Sequence, residues 1–224
     1  MSLTEEELLQ KELIKNSLFA LCHHFGFNDV HEDVHHEIIT ALEAETLRKI
    51  ICVPRGSLKS SITSIAYPIW LLLNNPNLRI LIDSELFTNS TTYLRAIKGF
   101  MESELLVKYF GDFKTNTVWR DNAIVIKQRT KNLKEPSISC GGIGTKKIGM
   151  HFDVIISDDL NSPQNVSTSE QAEKVVAHFR YNLNILDPNC IYVIVGTRYS
   201  QMDLIGWVLR DLLEEEELAE GNFG

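Results

Sequence analysis

With 224 residues, 44% hydrophobic and 23% charged, the chain is long enough to bury a full core and has the composition of an ordinary globular protein of one α/β domain. No apolar run reaches about eighteen residues, and acids stand at the N-terminus where a signal peptide is basic, which argues against a membrane protein and for a cytosolic one. The net charge of −8 argues against a permanently basic nucleic-acid-binding surface, although six of the thirty acids lie within 211–220. Four separated cysteines without C-x-x-C indicate reduced thiols.

The chain alternates between segments with helical spacing and short apolar runs. Helices are predicted over 4–25, 31–47, 59–74, 85–107 and 167–184, with a last helix from near Met202. Buried strands are predicted over 49–53, 78–83, 152–157 and 190–196. Pro68 predicts a kink or break in its helix, Asp121-Asn122 the turn of a hairpin over 116–129, and 141–149 a glycine-rich loop. Alternating strands and helices predict a mostly parallel sheet covered on both faces.

The first buried strand runs into "VPRGSLKSS", which is close to a phosphate-binding loop. Aligned with G-x-x-x-x-G-K-[ST] at Lys59 and Ser60, the sequence has Val53 and Leu58 at the glycine positions, and only Gly56 remains. The strand before and the helix after place Lys59 and Ser60 at a helix N-terminus, which favours anions. Two interpretations stay open: a nucleotide-binding loop, or an ordinary strand–turn–helix with a solvated lysine.

Two further strands also end in polar residues, and parallel strands bring such ends to one edge of a sheet. "VIISDD" ends in Asp158 and Asp159, which suit a magnesium ligand and a residue that polarises water, or alternatively a turn cap. "VIVGTR" ends in Gly196, Thr197 and Arg198, which suit a sensor of the γ-phosphate or a turn with a surface arginine.

A family resemblance rests on five blocks in order and spacing: "HHEIITALEA", "IICVPRGSLKSS", "YPIWLLLNNPNLRILIDSE", "HFDVIISDDL" and "VIVGTRYS". Over about residues 30–210 they resemble the ATPase half of large terminase subunits, the viral motors that package double-stranded DNA. The resemblance implies an ASCE/RecA-like P-loop NTPase fold with N-terminal helices, and a phosphate loop of the deviant kind found in that family. It divides the chain into a helical lead-in (1–47), an ATPase core (48–210) and an acidic tail or linker to a nuclease domain (211–224).

The resemblance also implies roles for residues. It implies nucleotide-binding roles for Arg55, Gly56, Ser57, Leu58, Lys59, Ser60 and Ser61, and catalytic roles for Lys59 and Arg55 as well. Ser60 and Asp158 would hold Mg²⁺, Asp159 stands where many members have a catalytic Glu, and Gly196, Thr197 and Arg198 match the coupling motif. A trans-acting arginine is missing from "GTKKIGMHF", so that Lys146, Lys147 or an arginine elsewhere would serve, or the two lysines are simply solvated.

The implied activity is ATP hydrolysis that drives double-stranded DNA into a capsid. The implied partners are DNA, a portal, a small terminase subunit and further copies in a ring on the portal, with a monomer in isolation and the host cytoplasm as location. A helicase-like translocase and a nucleotide-binding module without turnover remain alternatives. A zinc hydrolase is a third, because "HEDVH" satisfies H-E-x-x-H with His31, Glu32 and His35.

Overall fold

A computed structural model describes residues 3–211 and shows one seven-stranded sheet between two layers of helices. The helices are α1 (Glu5–Asn16), α2 (Leu18–His24), α3 (Glu32–Glu43), α4 (Tyr67–Asn74), α5 (Phe87–Met101), α6 (Glu104–Phe110), α7 (Ser169–Ile185) and α8, helical over 204–211. The strands are β1 (Arg48–Cys52), β2 (Ile80–Ser84), β3 (Lys114–Trp119), β4 (Ala123–Ile126), β5 (Ile138–Cys140), β6 (Phe152–Asp158) and β7 (Leu186–Gly196). Within this part of the chain, no helix is long and apolar enough to cross a membrane.

The strand order across the sheet is β1-β7-β6-β2-β5-β4-β3. The first five strands are parallel, whereas β4 and β3 add an antiparallel hairpin at one side. All five parallel strands therefore end at the same edge, which is the carboxyl edge of the sheet. This architecture confirms the predicted α/β fold with a mostly parallel, two-sided sheet.

The central strands are apolar on both faces because helices cover both. In β6, Val154 and Ile156 pack into the core formed with α1 to α6, while Ile155 packs into the core formed with α7 and α8. Successive side chains of a strand point to opposite faces, so that a continuous apolar run fills two cores. The packing on both faces fixes where the strands end at the carboxyl edge.

Two segments that were each predicted as one helix form two helices in the structure. The helix predicted over 4–25 ends at Asn16, and Ser17, with extended backbone, caps a new helix by accepting a hydrogen bond from the Ala20 N–H. The helix predicted over 85–107 is interrupted in the same way at Ser103, whose hydroxyl accepts from the Leu106 N–H. Serine competes for backbone hydrogen bonds and favours such caps, and the apolar spacing conceals this.

The helix predicted over 59–74 is irregular in its first part. Residues Ser61–Ala66 form a π-helical turn that runs directly into α4. Pro68 lies in the first turn of α4, where a missing N–H costs little, and the backbone stays helical through Ala66 and Tyr67. The predicted break is therefore absent here, and a change from π-helical to α-helical geometry stands in its place.

The strand predictions differ from the structure mainly at the edges. The hairpin β3–β4 is confirmed around Asp121-Asn122, whereas the three-residue β5 was not predicted. The predicted helix over 31–47 ends at Glu43, β2 begins at Ile80 rather than at 78, and β7 begins at Leu186 rather than at 190. The predicted acidic tail lies outside the described residues except for Asp211.

Candidate active site

The candidate site lies at the carboxyl edge of the sheet, where β1, β7 and β6 end. The loop after β1 is joined to the end of β7 by two hydrogen bonds: Val53 N–H donates to the Gly196 carbonyl (3.2 Å), and the Thr197 hydroxyl donates to the Val53 carbonyl (3.2 Å). The Asp159 N–H donates to the Val195 carbonyl at 2.8 Å. The three polar strand ends that the sequence singled out are thus adjacent.

The loop over 53–60 keeps the backbone shape of a glycine-rich turn although most of the glycines are gone. Gly56 has φ +83°, and Leu58, at the last glycine position of the motif, has φ +54°. A leucine in this left-handed region is strained, at a cost on the order of 1–2 kcal/mol. The strain is tolerated because the loop is fixed at both ends, by β7 and by the helix that starts at Lys59.

Lys59 and the two carboxylates form the centre of the site. Lys59 is buried, with 6% exposure, and its ammonium lies 3.4 Å from Asp159 Oδ2. Asp158 is fully buried at the end of β6, and its Oδ2 accepts a hydrogen bond of 2.5 Å from the Ser64 hydroxyl. Burial raises the pKa of Asp158 to about 6, against the opposing effect of hydrogen bonds from Ser64 and Ser60.

The residues fit a divalent cation. The Oδ1 atoms of Asp158 and Asp159 are buried and have no hydrogen-bond partner among the described residues. Buried carboxylate oxygens of this kind are costly unless something satisfies them, and oxygen donors are the ligands that Mg²⁺ prefers. Ser60, which directly follows Lys59 in the same helical turn, carries a hydroxyl that can join this set of oxygen donors. Phosphate oxygens and water can complete such a shell.

Arg55 is turned away from the carboxylates. Its Nη2 and Nε donate to the Tyr199 hydroxyl at 2.7 and 3.1 Å, in the loop that follows β7. Arg198 is exposed, and its Nε donates to the nearby Ser200 carbonyl at 3.5 Å. Ser57 donates to the Pro54 carbonyl at 2.8 Å, which closes the turn of the loop.

Lys147 lies in a different environment from the one expected for a residue that reaches a neighbouring subunit. Its side chain is half-buried, desolvation lowers its pKa, and the charge of Asp83 opposes that shift. Its backbone N–H donates to the Tyr181 hydroxyl at 2.5 Å. Lys146, its neighbour, is exposed. The structure therefore leaves Lys146 as the more accessible of the two lysines.

The H-E-x-x-H segment does not form a two-histidine metal face. His31 is the exposed N-cap of α3, while His35 is buried and accepts a hydrogen bond of 3.1 Å from the His31 N–H through its Nδ1. Among residues 3–211, no three His, Cys, Asp or Glu side chains are grouped to hold a metal ion. The zinc hypothesis thus finds no third ligand in the described chain.

Two residues of the site were missed from the sequence. Ser64 holds the buried carboxylate of Asp158, and burial together with the charge of Asp158 raises the pKa of Tyr93 on α5 to about 12. Ser64 lies four residues after Ser60, a spacing that places both on one face of a helix. The sequence therefore contained a signal for placing Ser64 near the site. No signal in the sequence identifies Tyr93.

Comparison with known proteins agrees with the resemblance. No family model matches the chain. The large subunit of terminase from Enterobacteria phage T3 is 31% identical over 154 residues, which cover 67% of this chain and 25% of that protein. The match therefore spans only a quarter of the relative's length. With this similarity and the arrangement of polar residues at the sheet edge, the chain is a large-terminase-like protein.

Proposed function

We propose that this chain is an ATPase that hydrolyses Mg²⁺-bound ATP at the carboxyl edge of β1, β6 and β7. The observation that carries the proposal is the meeting of Lys59, Asp158 and Asp159, which come from two distant parts of the chain, with two carboxylate oxygens that have no hydrogen-bond partner within residues 3–211. Phosphoryl transfer needs positioned positive charge, a cation on the phosphates and an oriented water. These three side chains and Ser60 supply groups for each task.

Each of these residues has a separate task in the proposed reaction. Lys59 and the N–H groups at the start of its helix bind the phosphates, while Ser60 and Asp158 hold Mg²⁺, which neutralises charge on the phosphates. The Lys59 ammonium lies beside Asp159. Phosphate oxygens would draw Lys59 away and leave the Asp159 carboxylate free to orient the attacking water.

The proposed role of the hydrolysis is the movement of double-stranded DNA into a viral capsid. The support is the similarity to a protein named as a terminase large subunit, although the match covers a quarter of it. DNA, a portal, a small terminase subunit and neighbouring copies in a ring are the proposed partners, and the cytoplasm of an infected cell is the proposed location.

The test is Mg²⁺-dependent ATP turnover per molecule over a wide range of protein concentration, with Lys59→Ala beside the wild type. We expect turnover that rises with concentration and is lost by at least about 100-fold in the variant, because an ammonium that contacts the phosphates is removed. Lys174→Ala, an exposed lysine on α7, is the matched control. Equal turnover in wild type and Lys59→Ala would refute the proposal, and nucleotide binding without turnover would favour a binding module.

A further inference from the structure

A second polar site lies at the base of the β3–β4 hairpin, on the far side of the strand order from β1. The cavity there has a volume of about 360 Å³ and opens to solvent. Its polar lining comes from Thr115, Thr117, Lys127, Arg129, Lys131 and Asn132. Among the described residues that line it, none is Asp or Glu. The cavity thus offers donors and positive charge, a combination that suits an anion.

The hairpin segment is basic within an acidic chain. Residues 113–134 contain six Lys or Arg and one acid, whereas the whole chain has 22 basic and 30 acidic residues. The rest of the chain therefore has 16 basic and 29 acidic residues. The basic charge is thus concentrated in one place, so that the overall charge of −8 conceals a local positive surface.

Arg129, which lines the cavity, has a pair of buried donors without a partner among the described residues. Its Nη1 donates to the Glu135 carbonyl at 2.7 Å, while its Nε and Nη2 are buried and have no hydrogen-bond partner in the described chain. Nε and Nη2 form the edge of the guanidinium that binds phosphate or carboxylate with two parallel hydrogen bonds. Unmet buried donors are costly, and an anion at this edge would satisfy both.

The neighbouring lysines are available to the same anion. Lys131 is exposed, and Lys127 pairs with Asp112 at 3.2 Å with both side chains more than half exposed. A solvated pair of this kind is worth at most about 1 kcal/mol, so that Lys127 can exchange partners at little cost. Three cations beside the Thr117 hydroxyl resemble the donor set that proteins use on phosphodiester backbones, while the Thr115 hydroxyl already donates to the Val125 carbonyl at 3.0 Å.

We propose that the cavity formed by Thr115, Thr117, Lys127, Arg129 and Lys131 binds backbone phosphates of double-stranded DNA. The choice of duplex DNA as the source of the phosphate rests on the proposed packaging function. The site lies at the opposite end of the strand order from the ATP site, so that DNA and nucleotide can be bound together.

The experiment is the binding of a short fluorescein-labelled DNA duplex to the full chain by anisotropy, at a series of KCl concentrations. Lys131→Glu is compared with Lys174→Glu, which makes the same charge change at an exposed lysine on α7. We expect Lys131→Glu to weaken binding about tenfold at low salt and to reduce the salt slope by about 1, while Lys174→Glu leaves both unchanged. Arg129→Lys, which keeps the charge and loses the fork, is expected to weaken binding about threefold.

Several results would overturn the inference. A wild type that fails to bind the duplex would overturn it, and so would equal binding by Lys131→Glu and Lys174→Glu. Binding of inorganic phosphate that depends on Lys131, without duplex binding, would assign the cavity to small anions instead. ATP turnover of the same preparations separates the two proposals: turnover without Lys131-dependent DNA binding refutes this inference alone, and such binding without turnover refutes the ATPase alone.

Discussion

Asp158 and Asp159 are consecutive residues in different environments. Asp158 is fully buried and held by Ser64, whereas the Asp159 side chain is 33% exposed and faces Lys59. The change of direction arises at Asp159, whose φ of +48° turns the chain out of β6. Aspartate and asparagine tolerate this conformation better than most residues. One carboxylate is therefore suited to a fixed cation, and the other to a group that arrives and leaves.

Asp159→Asn should separate binding from hydrolysis. Asparagine adopts the same positive φ and keeps the size of the side chain, so that the backbone turn persists while the negative charge is lost. We expect ATP affinity within about threefold of wild type and turnover reduced on the order of 100-fold, as is typical when a residue that positions or deprotonates the nucleophile is lost. Fluorescent-nucleotide binding and single-turnover hydrolysis measure the two. Normal turnover would place the base elsewhere.

Asp158→Asn should stabilise the protein in the absence of Mg²⁺. The pKa of Asp158 rises on folding from 3.8 to about 6, so that the folded state favours the protonated form. Stability from this group is present below pH 3.8 and is lost as the pH rises to about 6. The variant does not pay this penalty, and at pH 7 its free energy of unfolding should exceed that of the wild type by up to ~3 kcal/mol.

Urea unfolding of both proteins in EDTA, at pH values on either side of 6, measures this difference. It should grow between pH 3.8 and about 6 and then level off. A difference that stays constant with pH would mean that the ionisation of Asp158 is not its source.

At the scale of elements, the π-helical turn Ser61–Ala66 is the feature that brings a second hydroxyl to the carboxylates. It follows directly on Lys59 and Ser60 and carries Ser64, whose hydroxyl donates to Asp158. Such turns are frequent at functional sites, because they rotate side chains relative to a regular helix. The turn thus couples the phosphate loop to the end of β6.

Ser64→Ala should raise the Mg²⁺ concentration needed for half-maximal ATP turnover by about tenfold, because the group that orients a metal-binding carboxylate is lost. A Mg²⁺ titration of turnover measures it. Ser90→Ala is the matched control: it removes another buried hydroxyl, one that donates to the Gly141 carbonyl at 2.6 Å. The control should lose stability with an unchanged Mg²⁺ requirement. An equal Mg²⁺ requirement in the wild type, Ser64→Ala and Ser90→Ala would mean that Ser64 contributes only to packing.

The sequence predicts the regular elements of this protein better than its irregular ones. The buried runs before Lys59 and Asp158 were identifiable because a strand covered on both faces is apolar throughout. Strand β5 was not identifiable, because three residues are too few to show a period. The helix breaks at Ser17 and Ser103 were hidden because the apolar spacing continues across them. The grouping of Lys59 with Asp158 and Asp159 followed from strand ends. The contact of Arg55 with Tyr199 did not, because it depends on loop conformation.

At the scale of the whole molecule, the two edges of the parallel sheet have opposite character. The carboxyl edge holds carboxylates whose Oδ1 atoms have no hydrogen-bond partner in the part of the chain that the structure describes. At the other edge, Arg79, just before β2, donates to Asp153 on β6 at 2.7 Å and to Asp187 on β7 at 2.6 Å, and it lies 3.7 Å from Glu135. Hydrogen bonding to Asp153 raises the pKa of Arg79. The ion pairs of Arg79 at the amino edge connect three strands and stabilise the sheet. This stabilisation offsets the cost of the carboxylate oxygens that have no partner among the described residues at the carboxyl edge.

Arg79→Met should therefore lower stability without changing the chemistry. The substitution leaves three carboxylates close together without their cation, at a cost of about 3 kcal/mol, typical of breaking a largely buried pair. Arg48→Met, at the start of β1, removes an exposed guanidinium that bonds the Cys190 carbonyl, and it should cost less than about 1 kcal/mol. Urea unfolding measures both, and ATP turnover per folded molecule should equal that of the wild type. Lost turnover at unchanged stability would show that the two edges are coupled, because the strands would then transmit a change at their starts to the catalytic ends.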